Sequence, residues 1–248
     1  SKKISSSTIK GKLKLPKLAL IGIVENLKNV ITSLKENVKY STWINYTSDN
    51  TYEDGDEKNK KDFVKAYCDS MPKGSQIIDL GCNIGNYSKI AAQTHKVISS
   101  DIDSNCIDYI YKNVITNSAH SIMPIVLNLM NPSPNVGWGL QERKSIFERL
   151  HVDGFLALAL IHHICIANNV PLERFVQLLH KISPKGGVLE WVDKKDTMVQ
   201  FLLRNRTDIF GDYTWEKFEH IVQKYFTIQK RLLINNELRT LLWLTEKN

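Results

Sequence analysis

Short apolar runs closed by turn-forming residues alternate with stretches of helical period from about residue 58 to the end of this chain. Alternation of that kind predicts an α/β protein with a doubly wound sheet. Strands are expected at 76–79, 96–100, 122–127, 154–161 and 187–192, separated by helices. Two further runs, 226–233 and 239–244, flank Asn235 and Asn236 and predict a closing hairpin. The expectation is therefore a seven-stranded, mostly parallel sheet with an antiparallel C-terminal hairpin. The run FLALALIHHICIA within it is too short, and too polar at its middle, to span a bilayer, and reads as a buried strand.

Ahead of this region the period changes. After Pro16, Leu20, Ile23, Val24, Leu27, Val30, Ile31 and Leu34 recur at three- and four-residue spacing, predicting a helix that runs to about Lys39. So broad an apolar face needs a partner: the rest of the chain, a second copy, or a domain upstream. Residues 41–61 carry Trp43, Tyr46 and Tyr52 among polar residues and read as an irregular segment leading into a helix at about 58–71. That segment can close over a ligand bound at the next turn, or simply pack its amphipathic aromatics on the surface. The expected division is a basic arm and amphipathic helix over 1–40, then one domain over 41–248.

Charge sharpens that division. Residues 1–40 hold nine lysines against Glu25 and Glu36, and the whole chain carries a formal charge of +7, so the remainder is formally neutral. A lysine arm can attract phosphates, including those of RNA. No arginine or aromatic residue interleaves the lysines, which favours a solvated leader instead. At 248 residues the chain can bury a full core and form one domain with an appendage. Cys68, Cys82, Cys106 and Cys165 lack CxxC spacing, so neither a zinc site nor a disulfide framework is indicated, and a reducing cytoplasmic setting is expected. No cleavable signal is evident, since the apolar stretch 18–24 is short and is followed by Glu25. The chain opens on Ser1 without Met, which leaves room for sequence upstream.

The chemistry is concentrated at residues 76–88, QIIDLGCNIGNYS: an apolar run ending in Asp79, then Gly81, Asn83 and Gly85 at alternate positions, then a helix start. This order describes a strand, a tight turn and a helix N-terminus, where backbone can approach a nucleotide-like ligand closely. Twenty-two residues after Asp79, a second strand-like run ends in Asp101, placed to accept hydrogen bonds from ribose hydroxyls. A Gly-x-Gly-x-x-Gly dinucleotide fingerprint fits poorly, because Asn83 and Asn86 stand where it needs glycine. The turn instead resembles motif I of class I S-adenosylmethionine-dependent methyltransferases, acidic-x-Gly-x-Gly-x-Gly, read as Asp79, Gly81, Asn83 and Gly85. Asn83 departs from the central glycine, but Asn tolerates left-handed backbone. An ordinary strand-to-helix turn is the bland alternative.

That resemblance implies a Rossmann-like class I methyltransferase fold over roughly residues 60–248, with S-adenosylmethionine as cofactor. Asp79, Gly81, Cys82, Asn83 and Gly85 would then shape the amino acid end of the cofactor site. Asp101 would hold the ribose, with Ile102 beside it. Asn128, after the third strand, stands where this superfamily commonly carries a polar residue near adenine; it also reads as an Asx-turn residue opening the NPSP loop.

The fourth predicted strand ends in Ile161, His162, His163 and Ile164. In the superfamily this tip faces the transferred methyl, and a histidine there can serve as general base. Adjacent strand residues point to opposite sides, so at most one of the pair would face the site. A capping or carbonyl-satisfying histidine is the structural alternative. Glu190, on the fifth strand, can be brought close to the pair, though no ligand spacing indicates a metal. Between strands three and four, Trp138 and Arg143 lie in a long loop suited to a substrate: Trp138 to stack on a planar or sugar group, Arg143 to hold an anion. Both can equally anchor the loop, Arg143 through Glu142 or Glu148. A second cluster, residues 204–213, follows strand five and can roof the same cleft.

The order of NPSP-x-x-GW, ER-x-S, LALALIHHI, Glu190-Trp191-Val192 and R-x-DIF-x-DY is similar to a bacterial methyltransferase group that includes proteins labelled nodulation protein NoeA. The activity this implies is methyl transfer to an O or N nucleophile of a small metabolite or glycan. Three alternatives stay open: an RNA methyltransferase using the basic arm, a noncatalytic cofactor-binding subunit docking through the helix at 18–39, and transfer of a different group from a modified donor.

Overall fold

The computed structural model describes residues 15–34, 54–117 and 121–247. The chain divides into two units, residues 1–40 and 41–248. In the first, α1 (Lys17–Ser33) begins after Pro16, whose φ of −56° suits a helix entry. It ends short of the expected Lys39, because Leu34 is extended (φ −62°, ψ 118°). Just before that end, the Thr32 and Ser33 hydroxyls donate to the carbonyls of Lys28 and Val30, which competes with the helical ladder. The lysine arm up to residue 14 and the segment bearing Trp43, Tyr46 and Tyr52 lie outside the described residues.

The second unit follows the alternating pattern. Its elements are α2 (Asp54–Ser70), β1 (Gln76–Leu80), α3 (Asn86–Ala91), β2 (Lys96–Asp101), α4 (Ser104–Asn117), β3 (Ile122–Val126), α5 (Ile146–Arg149), β4 (Gly154–Ala157), α6 (Leu172–Ile182), β5 (Gly186–Val192), α7 (Thr197–Leu203), α8 (Trp215–Tyr225), β6 (Phe226–Ile234) and β7 (Arg239–Glu246). The seven strands order as β3-β2-β1-β4-β5-β7-β6. The first five are parallel, and β7 runs antiparallel to both β5 and β6. The hairpin turns through Asn235 and Asn236, both in left-handed backbone. No helix among the described residues is long and apolar enough to cross a membrane.

Alternation along the parallel strands divides the core into two layers. Ile78, Leu80, Phe155, Ala157, Leu189 and Trp191 face the layer of α6, α7 and α8. Ile77, Leu156, Val188 and Leu241 face the layer that contains Val64 and Tyr67 of α2 and Ile107 and Ile110 of α4. Strand order reverses between β1 and β4, which opens the crevice outside their carboxyl ends where ligands of open α/β sheets bind.

In the second unit, two elements depart clearly from expectation. α2 starts at Asp54 rather than near 58, with Asp56 and Glu57 in its first turn complementing the helix dipole. β4 stops at Ala157 instead of continuing to 161. Ala159 turns the chain in left-handed backbone (φ 48°), and His163–Ala167 form a π-helix. An apolar run such as LALALI has no period that separates strand from buried helix, so the strand reading ran too far.

Candidate functional site

The turn after β1 is built from local chemistry. Gly81, Asn83 and Gly85 alternate in left-handed backbone, with φ of 70°, 50° and 78°. Asn83 satisfies the turn itself, since its Oδ1 accepts the Ile84 N–H at 2.6 Å. A Cβ at Gly85 would lie 3.0 Å from Ile110 Cδ1, and one at Gly81 3.1 Å from Leu160 Cδ1. The backbone is thus packed closely between α4 and the segment after β4. The Gly81 and Cys82 N–H groups both donate to the Ser100 carbonyl, at 2.8 and 3.0 Å, tying the turn to β2. The Cys82 side chain is buried, its Sγ 3.6 Å from the Asn83 carbonyl.

Two carboxylates frame this turn. Asp79 is buried and accepts the Ser88 hydroxyl at 2.6 Å. Burial raises its pKa to about 6, against the opposing pull of that hydrogen bond. Asp101, at the tip of β2, accepts the Asn83 N–H at 2.8 Å on one oxygen and the Asp103 N–H at 2.9 Å on the other. Its pKa is also raised, by burial first. The Ile102 N–H also bears on this carboxylate; with about four acceptor positions on an ionised carboxylate, about one remains for a hydroxyl donor. Ile102 beside it is exposed, an apolar face at the rim of the crevice. Asn128 closes an Asx-turn, its Oδ1 accepting the Met130 N–H at 2.8 Å.

The turn after β4 carries both histidines, in helical rather than strand backbone; His162 has φ −69° and ψ −30°. The strand-alternation argument therefore does not apply to them, and the rings touch at a tilt of 40°, 4.1 Å between centroids. Burial separates the pair instead. His162 is sealed from solvent, and neither ring nitrogen has a hydrogen-bond partner among the described residues. Burial, with the charges of His163, Arg239 and Lys60, drives its pKa well down. His163 is partly exposed. Burial and Arg239 lower its pKa to about 4, so both rings are neutral at physiological pH.

Glu190 lies fully buried beneath this turn. One oxygen accepts Lys60 Nζ at 2.5 Å and the Ala159 N–H at 2.8 Å, and the other lies 3.5 Å from the Arg239 guanidinium. Arg239 in turn binds Asp196 at 2.7 and 3.2 Å. Burial alone would raise the Glu190 pKa; Lys60 and Arg239 outweigh it and hold the carboxyl below its ordinary range. An ionised, doubly paired carboxylate is poorly suited to take up a proton.

Sequence reasoning did not single out Lys60, Arg239 or Asp196, and it reached Arg206 only as a member of the 204–213 cluster. Lys60 stands among other lysines, and its only mark is that it shares a helical face with Val64, Tyr67 and Cys68. Arg239 is similarly in phase with inward-facing Leu241 of β7. In the loop between β3 and α5, Trp138 is 89% exposed, so its ring does not pack to hold the loop among the described residues. Arg143 donates to Ser133 Oγ at 3.4 Å, while Glu148 is taken up by the Ser145 capping box. The 204–213 segment packs on the turn after β4: Arg206 donates to the Ile166 carbonyl at 2.7 Å and to Asn169 Oδ1 at 2.5 Å.

No protein-family model matches the chain. In sequence it is 36% identical over 231 residues to nodulation protein NoeA of Rhizobium meliloti (strain 1021), an alignment covering 92% of this chain and 48% of that protein. The chain spans about half the length of that relative. In structure it is similar to a SAM-dependent methyltransferase from Aquifex aeolicus, with a TM-score of 0.51 at 13% identity, covering 84% of this chain and all of that one. It is also similar to magnesium protoporphyrin IX methyltransferase from Synechocystis PCC 6803 with bound SAH, with a TM-score of 0.52 at 13% identity, covering 91% of this chain and 95% of that one. The chain has the Rossmann-like fold of the class I S-adenosylmethionine-dependent methyltransferases, and in sequence it is NoeA-like.

Proposed function

We propose that this chain is an S-adenosylmethionine-dependent methyltransferase acting on a hydroxyl or amine of a small metabolite or glycan. The observation that carries the reading is the Asp101 carboxylate, which ties the left-handed Gly81–Asn83–Gly85 turn to β2 at the reversal of strand order and keeps an acceptor position for a ribose hydroxyl. Bound S-adenosylmethionine supplies an activated methyl on a sulfonium. The chain has to align the acceptor and manage its proton.

Asp79 and the turn residues 81–85 would hold the amino acid end, and Ile102 would lie against the base. With its Oδ1 engaged, Asn128 has the Nδ2 donors to offer, which suits an adenine ring nitrogen rather than the adenine amine. His163, neutral and partly exposed, is the candidate to accept the acceptor's proton, whereas sealed His162 supports the turn. Exposed Trp138 offers a flat face to a sugar ring, and Arg143 a charge for an anionic group. The four free cysteines support a reducing, cytoplasmic setting.

Radiolabelled methyl transfer against a panel of glycans, amines and phenols tests the reading. His163→Ala should lower turnover about a hundredfold with cofactor affinity kept; full turnover in that variant removes the base assignment. A separate observation concerns α1: Leu20, Val24, Leu27 and Ile31 repeat at alternating four- and three-residue spacing, and all are exposed along that helix. This supports association through α1 with a second copy or another protein. Sedimentation that does not change with concentration would remove the self-association.

A further inference from the structure

Residues 159–169 are held in a conformation their own sequence does not favour. Non-glycine left-handed backbone stands at both ends, Ala159 with φ 48° and Asn169 with φ 59°, and the π-helix His163–Ala167 lies between. Clusters of sparsely populated backbone persist only where surroundings over-determine them, and such irregular turns recur at functional sites. Here the surroundings are two charged side chains from remote elements. Glu190 of β5 accepts the Ala159 N–H at 2.8 Å. Arg206, beyond α7, spans the other end with the two arms of its guanidinium, at 2.7 Å to the Ile166 carbonyl and 2.5 Å to Asn169 Oδ1.

Both clamps are themselves fixed. Glu190 belongs to the buried chain Lys60–Glu190–Arg239–Asp196. Arg206 lies over the Phe210 ring, 5.0 Å from its centroid. Inside the segment, Asn168 Nδ2 donates to the His163 carbonyl at 2.7 Å, and the Val170 N–H donates to the Ile164 carbonyl at 3.2 Å. The segment also reaches the motif I turn, because Leu160 fills the space next to Gly81. A movement of either end would displace the histidines relative to that turn.

We propose that Glu190 and Arg206 are positioning residues that lock the two ends of 159–169 and thereby hold His163 on the acceptor side of the site, a role that rests on the methyltransferase reading above. Glu190 acts here through the Ala159 backbone and takes up no proton. Arg206 is the better residue to test first, because it is partly exposed and stands outside the buried ion chain.

The experiment follows the His163 imidazole by NMR titration and the Val170 amide by hydrogen exchange, in wild type, Arg206→Met and Arg206→Lys, alongside calorimetric binding of S-adenosylhomocysteine. In folded Arg206→Met, the His163 pKa should climb by about one unit or more toward its ordinary value as the ring gains solvent. The Val170 amide should exchange about tenfold faster or more. Arg206→Lys, which can reach one of the two acceptors, should fall between. Glu190→Gln keeps an oxygen for the Ala159 N–H, so the Ala159 amide should stay protected to within about threefold. A folded Arg206→Met protein with wild-type titration and exchange would overturn the clamp. Neither readout needs cofactor or acceptor, so a wild type that fails to bind S-adenosylhomocysteine would overturn the functional reading separately.

Discussion

The turns after β1 and β4 lie side by side where strand order reverses, and they reach left-handed backbone by opposite means. After β1, the positions are Gly, Asn and Gly, residues that adopt positive φ at little cost, and the neighbouring Asp101 completes the hydrogen bonding. After β4, the left-handed residue is Ala159, in an apolar run, and a carboxylate thirty-one positions away supplies its partner. One turn is specified by its own residues; the other is imposed by the packed tertiary structure. A locally specified turn suits a cofactor site that must exist before ligand arrives, and an imposed turn couples histidine placement to the integrity of the whole sheet.

The largest effect should come from breaking the imposed side. Glu190→Ala takes the carboxylate from buried Lys60 and leaves Arg239 to Asp196 alone, and urea denaturation should report a loss of about 3–5 kcal/mol. A loss below about 1 kcal/mol would mean that the ion chain does not hold the turn.

Next comes Asp79→Asn. Because the native Asp79 pKa is raised to about 6, the stability it contributes is full below its unfolded value near 3.8 and is lost as pH rises through 6. The Asn variant should therefore be more stable than wild type at pH 8, by about 3 kcal/mol, with the difference shrinking toward pH 4. The same variant should bind S-adenosylmethionine more weakly if Asp79 faces the cofactor's ammonium. Equal stability at pH 8 would place the carboxyl in a better-solvated position.

A reciprocal pair gives the smallest and sharpest contrast. Gly85→Ala meets positive φ and a Cβ contact of 3.0 Å with Ile110, and should cost about 1–2 kcal/mol. Ala159→Gly relieves left-handed strain but adds backbone entropy, leaving a net change within about 1 kcal/mol. Thermal denaturation of both variants compares the two turns directly.

This contrast also explains what was legible in the sequence. The turn of Gly81, Asn83 and Gly85 between Asp79 and Asp101 was legible because residue type and spacing alone encode it, and the closing hairpin was legible through Asn235 and Asn236. The end of β4 was misplaced because no local residue announces the turn at Ala159, whose N–H is taken up by the remote Glu190 side chain. Lys60 and Arg239 were missed for the same reason, since a buried cation partnered across the sheet looks in sequence like a surface charge. The unequal burial of the histidines was not legible either, because only the helical backbone after Ala159 seals His162 and leaves His163 partly open.

The central claim is a cofactor site held by Asp101 at the β1–β2 tips. Its most direct test is calorimetric titration with S-adenosylmethionine and S-adenosylhomocysteine, in wild type and Asp101→Ala. Micromolar binding in wild type, weakened about a hundredfold or more in a folded variant, is the predicted result. Unchanged affinity in the variant, or no binding of either compound by wild type, would contradict it.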